Sequence, residues 1–335
     1  MASLKQTTVR DAQSVKGSAL HTGSDVTLTV RPAAANTGFI FKRTDLADEP
    51  TVTAHIDHVK QVERATTLGE GSVKIHTVEH LLSALRGLGI DNAHIEINAN
   101  EPPSATVSGK LFVELLERAG KTELDAPVAE YELTDPVRVT SRDGGYVIAW
   151  PSDRFEISCT NANHLGKHTQ FRTWNPETGN YAKEIAQART FVFYEEVQPL
   201  MDKGLIKGGS LENAVVIRGD AVLSREPLRY EDEFVRHKIL DLIGDLSLFP
   251  CGSRPTSTQS SQPRAQRRAG ARNLQAIQAA PGPARAGRGR TRRRGQHGRR
   301  RHHARAAAPL PLPHDRPHPR LRGHDQGPPG KRPSP

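Results

Sequence analysis

Alternating apolar and polar residues predict strands throughout the first 250 residues of the chain. The stretches DVTLTVRP and TGFIFKRT alternate with period two between Gly, Pro and Asn, which is typical of hairpin strands on a half-buried sheet. The same pattern predicts further strands in AHIEINA, YELTDPVRVT, GYVIAW, RFEISCT and NAVVIRGD. The polar residues around Leu124–Val128 are interpreted as a linker.

Apolar residues with helical spacing predict helices between these strands. One helix begins near Thr77, and the others lie in GKLFVELLERAGK, KEIAQAR, FYEEVQPLMDKG and YEDEFVRHKILDLIGDLSL. Strands followed by helices, twice, predict an α+β fold of two halves of similar plan packed on each other. The predicted divisions are residues 1–125, residues 126–250 and a tail of residues 251–335.

The helix near Thr77 combines an apolar stripe with polar residues that can carry chemistry. The stripe faces a core and contains Val78, Leu81, Leu82, Leu85 and Leu88. Thr77 is predicted to cap the start of the helix and Gly89 to end it. Glu79, His80 and Ser83 lie off the stripe, either as exposed residues of a structural helix or as components of a metal site.

The same stretch matches H-x-x-E-H, an inverted zinc-protease signature, through His76, Glu79 and His80. If Thr77 caps the helix, His76 lies outside it and loses the i,i+4 geometry with His80. A structural helix, a protease and another kind of metal site therefore stay open for this stretch taken alone.

A second helix, in FVRHKILDLIGDL, repeats the combination. Its buried stripe is formed by Val235, Ile239, Leu242 and Leu246. His237, Asp241 and Asp245 recur at every fourth residue on another face, either as a solvated face or as a metal clamp. Together with His80, His237 and Asp241 make three N/N/O ligands, which leaves a position open for water, as in catalytic zinc sites. Glu79 then becomes a candidate general base.

Charge divides the chain near Pro250. Residues 251–335 contain 19 Arg, 1 Lys and 2 Asp without Glu, a net charge of +18, whereas Met1–Pro250 carries −8. The tail has no Phe, Trp or Tyr, so its composition predicts disorder. The segment RGRTRRRGQHGRRRHHARA is typical of binding to nucleic acid or another polyanion.

Other sequence features limit the kind of protein. Two cysteines, Cys159 and Cys251, exclude a disulfide framework and a zinc site made of cysteines alone. No run approaches the roughly 18 apolar residues of a transmembrane helix, and the N-terminus has no apolar signal core. These features predict a protein that has no transmembrane segment and is cytoplasmic.

Six stretches carry a resemblance to a known family: GSALHTG, VTLTVRPAAANTGFIFKRTDL, HTVEHLLSALRGLGIDN, ARTFVF, GLIKGGSLENAVV and LRYEDEFVRHKILDLIGDL. From about Lys5 to Leu248 the chain resembles UDP-3-O-acyl-N-acetylglucosamine deacetylase, the zinc amidase of lipid A synthesis in Gram-negative bacteria. The resemblance implies a fold of two similar β-α-α-β sandwich halves packed through their helices, with an active site between the two halves. It further implies UDP-3-O-(3-hydroxyacyl)-N-acetylglucosamine as substrate. It also implies zinc, with iron as the alternative, on His80, His237 and Asp241.

The resemblance also implies roles for the neighbouring residues. Glu79 corresponds to the general base, and Thr190 to the residue that stabilises the oxyanion together with the metal. Asp245 corresponds to the residue that orients a general-acid histidine. Contacts with the substrate are implied for Lys238, Phe191, Phe193 and His21, although His21 fits a structural role equally well.

The chain departs from the family pattern at two places. In the family a strand and a Gly-His element follow the Asp245 helix, and that histidine protonates the leaving amine. Here SLFPCGSRPTSTQSSQPRAQRR follows, without a Gly-His pair at the expected distance. Such proton transfer typically contributes about 10²–10⁴-fold, so we expect a badly impaired enzyme. The second departure is EPPSATVSGK, where the family carries Asp-Gly before the serine.

The tail composition favours translation of a GC-rich gene in the wrong frame. TSTQSSQ can be back-translated so that a one-base shift reads HVNAVIA, and PLPLPHDRPHP can give LLPH followed by TDRIL. The latter resembles the start of 3-hydroxyacyl-[acyl-carrier-protein] dehydratase, which is fused behind this deacetylase in some bacteria. The alternative is a genuine Arg-rich tail on a non-catalytic protein that binds the nucleotide sugar and polyanions.

Overall fold

The computed structural model describes residues 5–62, 65–104, 107–128, 133, 135–141, 144–162, 166–211, 214–249 and 258–262. Its first half contains a five-stranded sheet. The elements of this half are β1 (Lys5–Val9), β2 (Gln13–Ser18), β3 (Asp25–Arg31), β4 (Phe39–Arg43), β5 (Thr51–Thr53), a 3-10 turn (Ile56–His58), β6 (Val59–Gln61), β7 (Thr67–Glu70), β8 (Val73–Ile75), α1 (Glu79–Gly87), β9 (Ala93–Ile97), α2 (Lys110–Ala119) and β10 (Lys121–Pro127).

The strand order of this sheet is β2-β3-β9-β4-β5. Its central strand, β9, pairs antiparallel with β3 and parallel with β4. The alternation read from the sequence appears as alternating burial, and on β3 the inward residues are Val26, Leu28 and Val30. Two smaller sheets, β6-β7-β8 and β1-β10, complete this half.

The second half contains a sheet of the same plan. Its elements are β11 (Val137–Thr140), β12 (Tyr146–Ala149), β13 (Ile157–Asn161), β14 (Gln170–Trp174), α3 (Tyr181–Glu184), β15 (Phe191–Phe193), α4 (Tyr194–Asp202), β16 (Val215–Arg218), β17 (Ala221–Leu223), α5 (Glu233–Leu246) and β18 (Thr258–Gln262). The strand order is β11-β12-β18-β13-β14, and the central β18 is antiparallel to β12 and parallel to β13. A third small sheet has the order β15-β16-β17.

The predicted α+β class with two halves of similar plan is confirmed, because the two five-stranded sheets share strand order and strand direction. A helix directly precedes the central strand of each sheet along the chain, since α1 precedes β9 and α5 precedes β18. All described residues belong to one compact unit, which spans Met1–Arg285. The domain boundary expected at residues 125 and 126 stays a prediction.

The two halves meet through α1 and α5, which pack against each other. Gly244 lies at this contact, where a Cβ would overlap the carbonyl oxygen of Glu79 and come within 2.8 Å of its carbonyl carbon. The predicted apolar stripes lie in the core: Val78, Leu81, Leu82 and Leu85 on α1, and Val235, Ile239, Leu242 and Leu246 on α5. The absence of a side chain at Gly244 is therefore what allows the two backbones to approach.

Three local predictions are wrong. Thr77 does not cap α1, because its φ is +54° and its hydroxyl donates to the buried carboxylate of Glu101, so Val78 is the capping residue. The expected linker around Leu124–Val128 is largely contained in β10, which pairs with β1. In KEIAQAR the helix ends at Glu184, and only the start of that stretch is helical.

The other boundaries agree with the patterns. Gly89, with φ +69°, follows the end of α1 as predicted. Of the strand predicted in YELTDPVRVT the structure contains Val137–Thr140, and several residues before it lie outside the described residues. Of the tail predicted to be disordered the structure describes Thr258–Gln262, and its basic segment also lies outside the described residues. Among the described helices none is long and apolar enough to cross a membrane.

The central strand β18 has an unusual composition for its position. Thr258 pairs with Ile157 and Ala149, and Ser260 pairs with Cys159 and Val147, so buried residues flank both register positions. In the first sheet the equivalent central strand, β9, has Ala93, Ile95 and Ile97 on its buried face. Polar residues therefore occupy register positions in β18 that a central strand normally fills with apolar ones.

We expect Gly244→Ala to destabilise the protein. Alanine normally stabilises a helix by about 1 kcal/mol relative to glycine, whereas overpacking a tight contact costs typically about 1–3 kcal/mol. The new methyl group would meet backbone atoms of Glu79, which cannot rotate away. The cost of overpacking should therefore exceed the gain in helix propensity. Urea unfolding of both proteins measures the difference, and a stabilised alanine variant would contradict the close approach of α1 and α5.

Candidate metal centre

Three side chains from α1 and α5 converge in the core between the two helices. Nε2 of His80 lies 3.7 Å from Oδ1 of Asp241, and Nε2 of His237 lies 3.4 Å from the same oxygen. One ligand atom from each residue lies within 4.8 Å of the others. Metal–ligand bonds of about 2.0–2.2 Å place neighbouring ligand atoms roughly 3–4 Å apart. The spacing of these atoms therefore fits a first-row divalent cation.

These polar residues are buried. The exposed fraction is 2% for His80, 0% for His237 and 7% for Asp241. The interpretation of either polar helix face as solvated is therefore wrong. It failed because α1 and α5 turn their polar faces toward each other, so that each face lies in the interior although it is polar.

The hydrogen bonding of the two histidines fits a metal. Nδ1 of His237 lies 3.0 Å from the carbonyl oxygen of Ala188, a contact that favours a proton on Nδ1 and a lone pair on Nε2. Among the described residues Nε2 of His80 and Nε2 of His237 have no hydrogen-bond partner. Buried polar atoms are normally satisfied, so a cation is the partner that suits two converging nitrogen lone pairs.

Burial also sets the protonation state of His237. Removal from water lowers the pKa of its imidazole to about 3, although the nearby carboxylate of Asp241 acts in the opposite direction. The ring is therefore neutral at pH 7, which is the form that binds metals. Among the described residues His80, His237 and Asp241 form the group that can hold a cation.

His76 does not belong to this group. Its Nδ1 lies 2.9 Å from the hydroxyl of Thr67, and it precedes the first helical residue, Glu79. The inverted zinc-protease arrangement needs His76 and His80 one turn apart on a single helix. That arrangement is absent, since α1 begins only after His76.

Thr66, which belongs to none of the sequence motifs, connects Glu79 and Asp245 through hydrogen bonds. The backbone N–H of Thr66 donates to Oε2 of Glu79 (3.0 Å), and its hydroxyl donates to Oδ1 of Asp245 (2.7 Å). All three residues are buried. Because 179 positions separate Thr66 from Asp245, no local sequence pattern could have revealed this contact.

An ion pair fixes the segment that contains Thr190. The guanidinium of Arg189 donates to both carboxylate oxygens of Glu233 at 2.9 and 3.1 Å, and both side chains are buried. The preceding carbonyl, of Ala188, is the one that contacts His237. Glu233 and His237 are both residues of α5, so this helix holds a metal-ligand candidate and the Thr190 segment together.

The second departure from the family pattern lies beside Thr190. Val107, the residue before Ser108, has φ +41°, a region that favours glycine. Its carbonyl oxygen accepts the N–H of Thr190 at 3.0 Å. The turn therefore keeps a left-handed conformation without glycine, at a typical cost of about 1–3 kcal/mol.

A largely apolar cavity of about 370 Å³ lies next to the cluster, with Lys238 in its wall. Four of the residues implied by the resemblance line it: His21, Thr190, Phe191 and Lys238. Its remaining wall is largely aliphatic and includes Leu20, Val197, Leu200, Ile206, Val216 and Leu223. The cavity therefore has a largely apolar wall, and one of its lining residues, Lys238, contacts Asp241 of the cluster.

Lys238 connects the cavity to the cluster, since its ammonium lies 3.0 Å from Oδ2 of Asp241. Phe193 does not line the cavity and packs against Phe191, with 6.2 Å between ring centroids. The backbone N–H of His21 donates to the buried carboxylate of Glu101, which also accepts the hydroxyl of Thr77. Glu101 therefore ties the His21 loop to the start of α1.

Comparison with known proteins agrees with this site. Residues 6–261 match the family model of the UDP-3-O-acyl N-acetylglycosamine deacetylases (LpxC). Three similar proteins, each named UDP-3-O-acyl-N-acetylglucosamine deacetylase, come from Myxococcus xanthus (41% identical, covering 74% of this chain and 79% of the relative), Legionella pneumophila strain Corby (42%; 73% and 82%) and Chlamydia pneumoniae (43%; 72% and 87%). The chain therefore belongs to the UDP-3-O-acyl N-acetylglycosamine deacetylase family, whose members are hydrolases.

Proposed function

We propose that this protein hydrolyses the N-acetyl group of UDP-3-O-(3-hydroxyacyl)-N-acetylglucosamine with the help of a metal bound by His80, His237 and Asp241. The observation that carries the proposal is the buried N/N/O cluster at the end of an apolar cavity. Neither feature alone would identify the reaction and its substrate, because a metal site without the apolar cavity fits many hydrolases. The names of the relatives supply the substrate, a nucleotide sugar that carries a fatty acyl chain.

Zinc is the proposed metal, and iron is the alternative. Two imidazoles and one carboxylate suit zinc in catalytic sites, which keep a position open for water or substrate. A divalent cation held there polarises an amide carbonyl and makes water more acidic. The protein's own contribution is to fix the ligands in a site from which bulk water is excluded.

Glu79 is the proposed general base. Its carboxylate is buried and is held by the N–H of Thr66, while its neighbour His80 is a proposed ligand. Adjacent helical residues point about 100° apart, so Glu79 borders the cluster without replacing a ligand. In this position Glu79 can take a proton from water as the water oxygen attacks the acetamide carbon.

Thr190 is proposed to act on the substrate oxygen that becomes negative, and Lys238 is proposed to contact the substrate. Both residues line the cavity. A hydroxyl in a fixed position stabilises such a charge without having to reorient during the reaction. The Arg189–Glu233 pair contributes by anchoring the segment before Thr190.

The apolar cavity is proposed to hold the acyl chain. Its volume of about 370 Å³ lies within the range of small-molecule pockets, about 300–1,000 Å³. Transfer of a hydrocarbon chain from water to an aliphatic wall is favourable, whereas such a wall forms no hydrogen bonds with the polar uridine diphosphate. Phe191 and His21 also line the cavity and are proposed contacts with the substrate.

We also propose that the residues after about Pro250 are read out of frame, so that the natural general-acid histidine is missing. Two features support this: the abrupt change of composition, and the polar residues of β18 that pair with buried residues of β12 and β13. Asp245, which would orient that histidine, is buried beside Thr66 as the proposal requires. The impaired step would be protonation of the leaving amine.

The base assignment is tested by Glu79→Gln. With the metal-loaded protein in excess over UDP-3-O-acyl-N-acetylglucosamine, the rate of acetate release should fall by about 10²–10⁴-fold, as for loss of a general base. Bound zinc should be unchanged, because Glu79 is not a ligand. An unchanged rate would exclude Glu79 as the base.

The metal assignment is checked in the same experiment by two histidine variants. His237→Ala should lose the metal while keeping its helical content, and His76→Ala should keep it, since His76 lies outside the cluster. Loss of metal from His76→Ala would instead favour the inverted zinc-protease arrangement.

Thr66→Val should destabilise the protein by about 1–3 kcal/mol, the usual cost of removing a hydrogen-bond partner from a buried polar group. Valine keeps the shape and the backbone N–H to Glu79 but removes the donor to Asp245. Thr66→Ser should recover most of the stability in urea unfolding. The control Thr27→Val, at a half-exposed position of β3, should stay within about 0.5 kcal/mol, and an equally small effect at Thr66 would contradict the bridging role.

The frame is tested by resequencing the DNA from the codon of Asp245 past the stop codon. We expect one inserted or deleted base, and a corrected frame that encodes a Gly-His element. The corrected protein should then release acetate about 10²–10⁴-fold faster than the present chain. If the frame holds as written, the Arg-rich tail is genuine, and its peptide should bind nucleic acid with a strong dependence on salt.

A further inference from the structure

The two carboxylate oxygens of Asp241 face different partners. Oδ1 is the oxygen within 3.7 Å of His80 Nε2 and within 3.4 Å of His237 Nε2. Oδ2 lies 3.0 Å from the ammonium of Lys238, one helical turn earlier on α5. The carboxylate is thus oriented, with one oxygen in the cluster and the other paired with a cation of the protein.

The ammonium of Lys238 is confined from a second side. Its Nζ lies 5.2 Å from the ring centroid of Phe191, a distance at which an ammonium is attracted to an aromatic face. The ring of Phe191 packs in turn on Phe234 of α5, with 4.8 Å between centroids. Only 15% of the Lys238 side chain is exposed, so the pair with Asp241 is shielded from solvent.

Helix α5 therefore determines the position of Lys238 in two ways. The helix carries Lys238 and Asp241 at i and i+3, and through Phe234 it also supports the ring that bounds the ammonium. A charge-assisted hydrogen bond of this kind is stronger than a neutral one. Turning Oδ2 away from Lys238 would leave a largely buried ammonium without this partner, at considerable cost.

We propose that Lys238 is a positioning residue of the metal centre, which retains Oδ2 of Asp241 and so limits this carboxylate to one oxygen toward the cation. The inference rests on the proposed function, since it needs a cation at His80, His237 and Asp241. Carboxylates bind metals through one oxygen or through both. One-oxygen binding keeps a position available for water and the substrate carbonyl, and binding through both oxygens would occupy it.

The test uses Co²⁺ alone as the probe, because the intensity of its visible absorption reports coordination number. Four-coordinate Co²⁺ absorbs several-fold more strongly than five- or six-coordinate Co²⁺. The unmodified protein and Lys238→Arg, which keeps a donor for Oδ2, should give intense spectra. Lys238→Met removes the ammonium that pairs with Oδ2 at similar side-chain length and should give a several-fold weaker spectrum. The control Lys16→Met makes the same change at an exposed residue of β2 and should match the unmodified protein.

The outcomes separate this inference from the proposed function. Binding of Co²⁺ with the same intense spectrum in Lys238→Met overturns the role of Lys238 and leaves the metal centre intact. A weak spectrum from the unmodified protein also overturns it. Failure of the unmodified protein to bind Co²⁺ overturns both the metal centre and the inference.

A second measurement applies if Lys238→Met does not fold, as judged by circular dichroism. X-ray absorption of the zinc-loaded unmodified protein distinguishes the two binding modes, because a carboxylate bound through both oxygens holds its carbon closer to the metal. One-oxygen binding supports the proposal. Two-oxygen binding overturns it without any variant.

Discussion

The burial of ionisable side chains between α1 and α5 is the constraint on which the rest of the structure depends. Glu79, His80, His237, Asp241 and Asp245 lie in the interior, where a charged or polar group without partners is strongly unfavourable. The protein supplies a specific partner for most of them: Thr66 for the two outer carboxylates, Lys238 for Asp241 and the carbonyl of Ala188 for His237. Within the part of the chain that the structure describes, Nε2 of His80 and Nε2 of His237 have no hydrogen-bond partner, and each lies close to Oδ1 of Asp241.

The helix that carries His237 and Asp241 also contributes to the cavity wall. Glu233 of α5 binds Arg189, next to Thr190, and Phe234 packs against Phe191 in the cavity wall. A shift of α5 would therefore disturb the candidate metal site and the cavity together. Gly244 fixes the depth of the helix contact, because a larger residue there would meet the backbone of α1. Close packing of two backbones thus determines where the chemistry can occur.

The sequence predicted the components of the site that repeat with helical spacing and missed those that depend on tertiary contact. The spacing of His237 and Asp241, four residues apart on a periodic helix, predicts that they share one face, and the structure brings them together; the strands with clean alternation are also present. Burial of the polar faces was not predictable, since the pattern of one helix does not show that a second polar face covers it. Thr77 has the right chemistry for a helix cap, but the buried carboxylate of Glu101 accepts its hydroxyl, and this long-range contact outweighs a local preference. Thr66 had no local signal at all, because its partner on α5 lies far away in sequence.

In a central strand such as β18, backbone pairing and side-chain packing impose different requirements on the sequence. The facing edges of β12 and β13 can form backbone hydrogen bonds with any extended segment between them, because the backbone groups are the same for every residue except proline. A segment of polar residues can therefore pair in register with both strands. The core beneath a sheet is selective, however, and in the first half the equivalent strand meets it with Ala93, Ile95 and Ile97. The pairing of β18 in register with β12 and β13 therefore follows from its backbone, whereas its composition, TQSSQ, differs from that of β9.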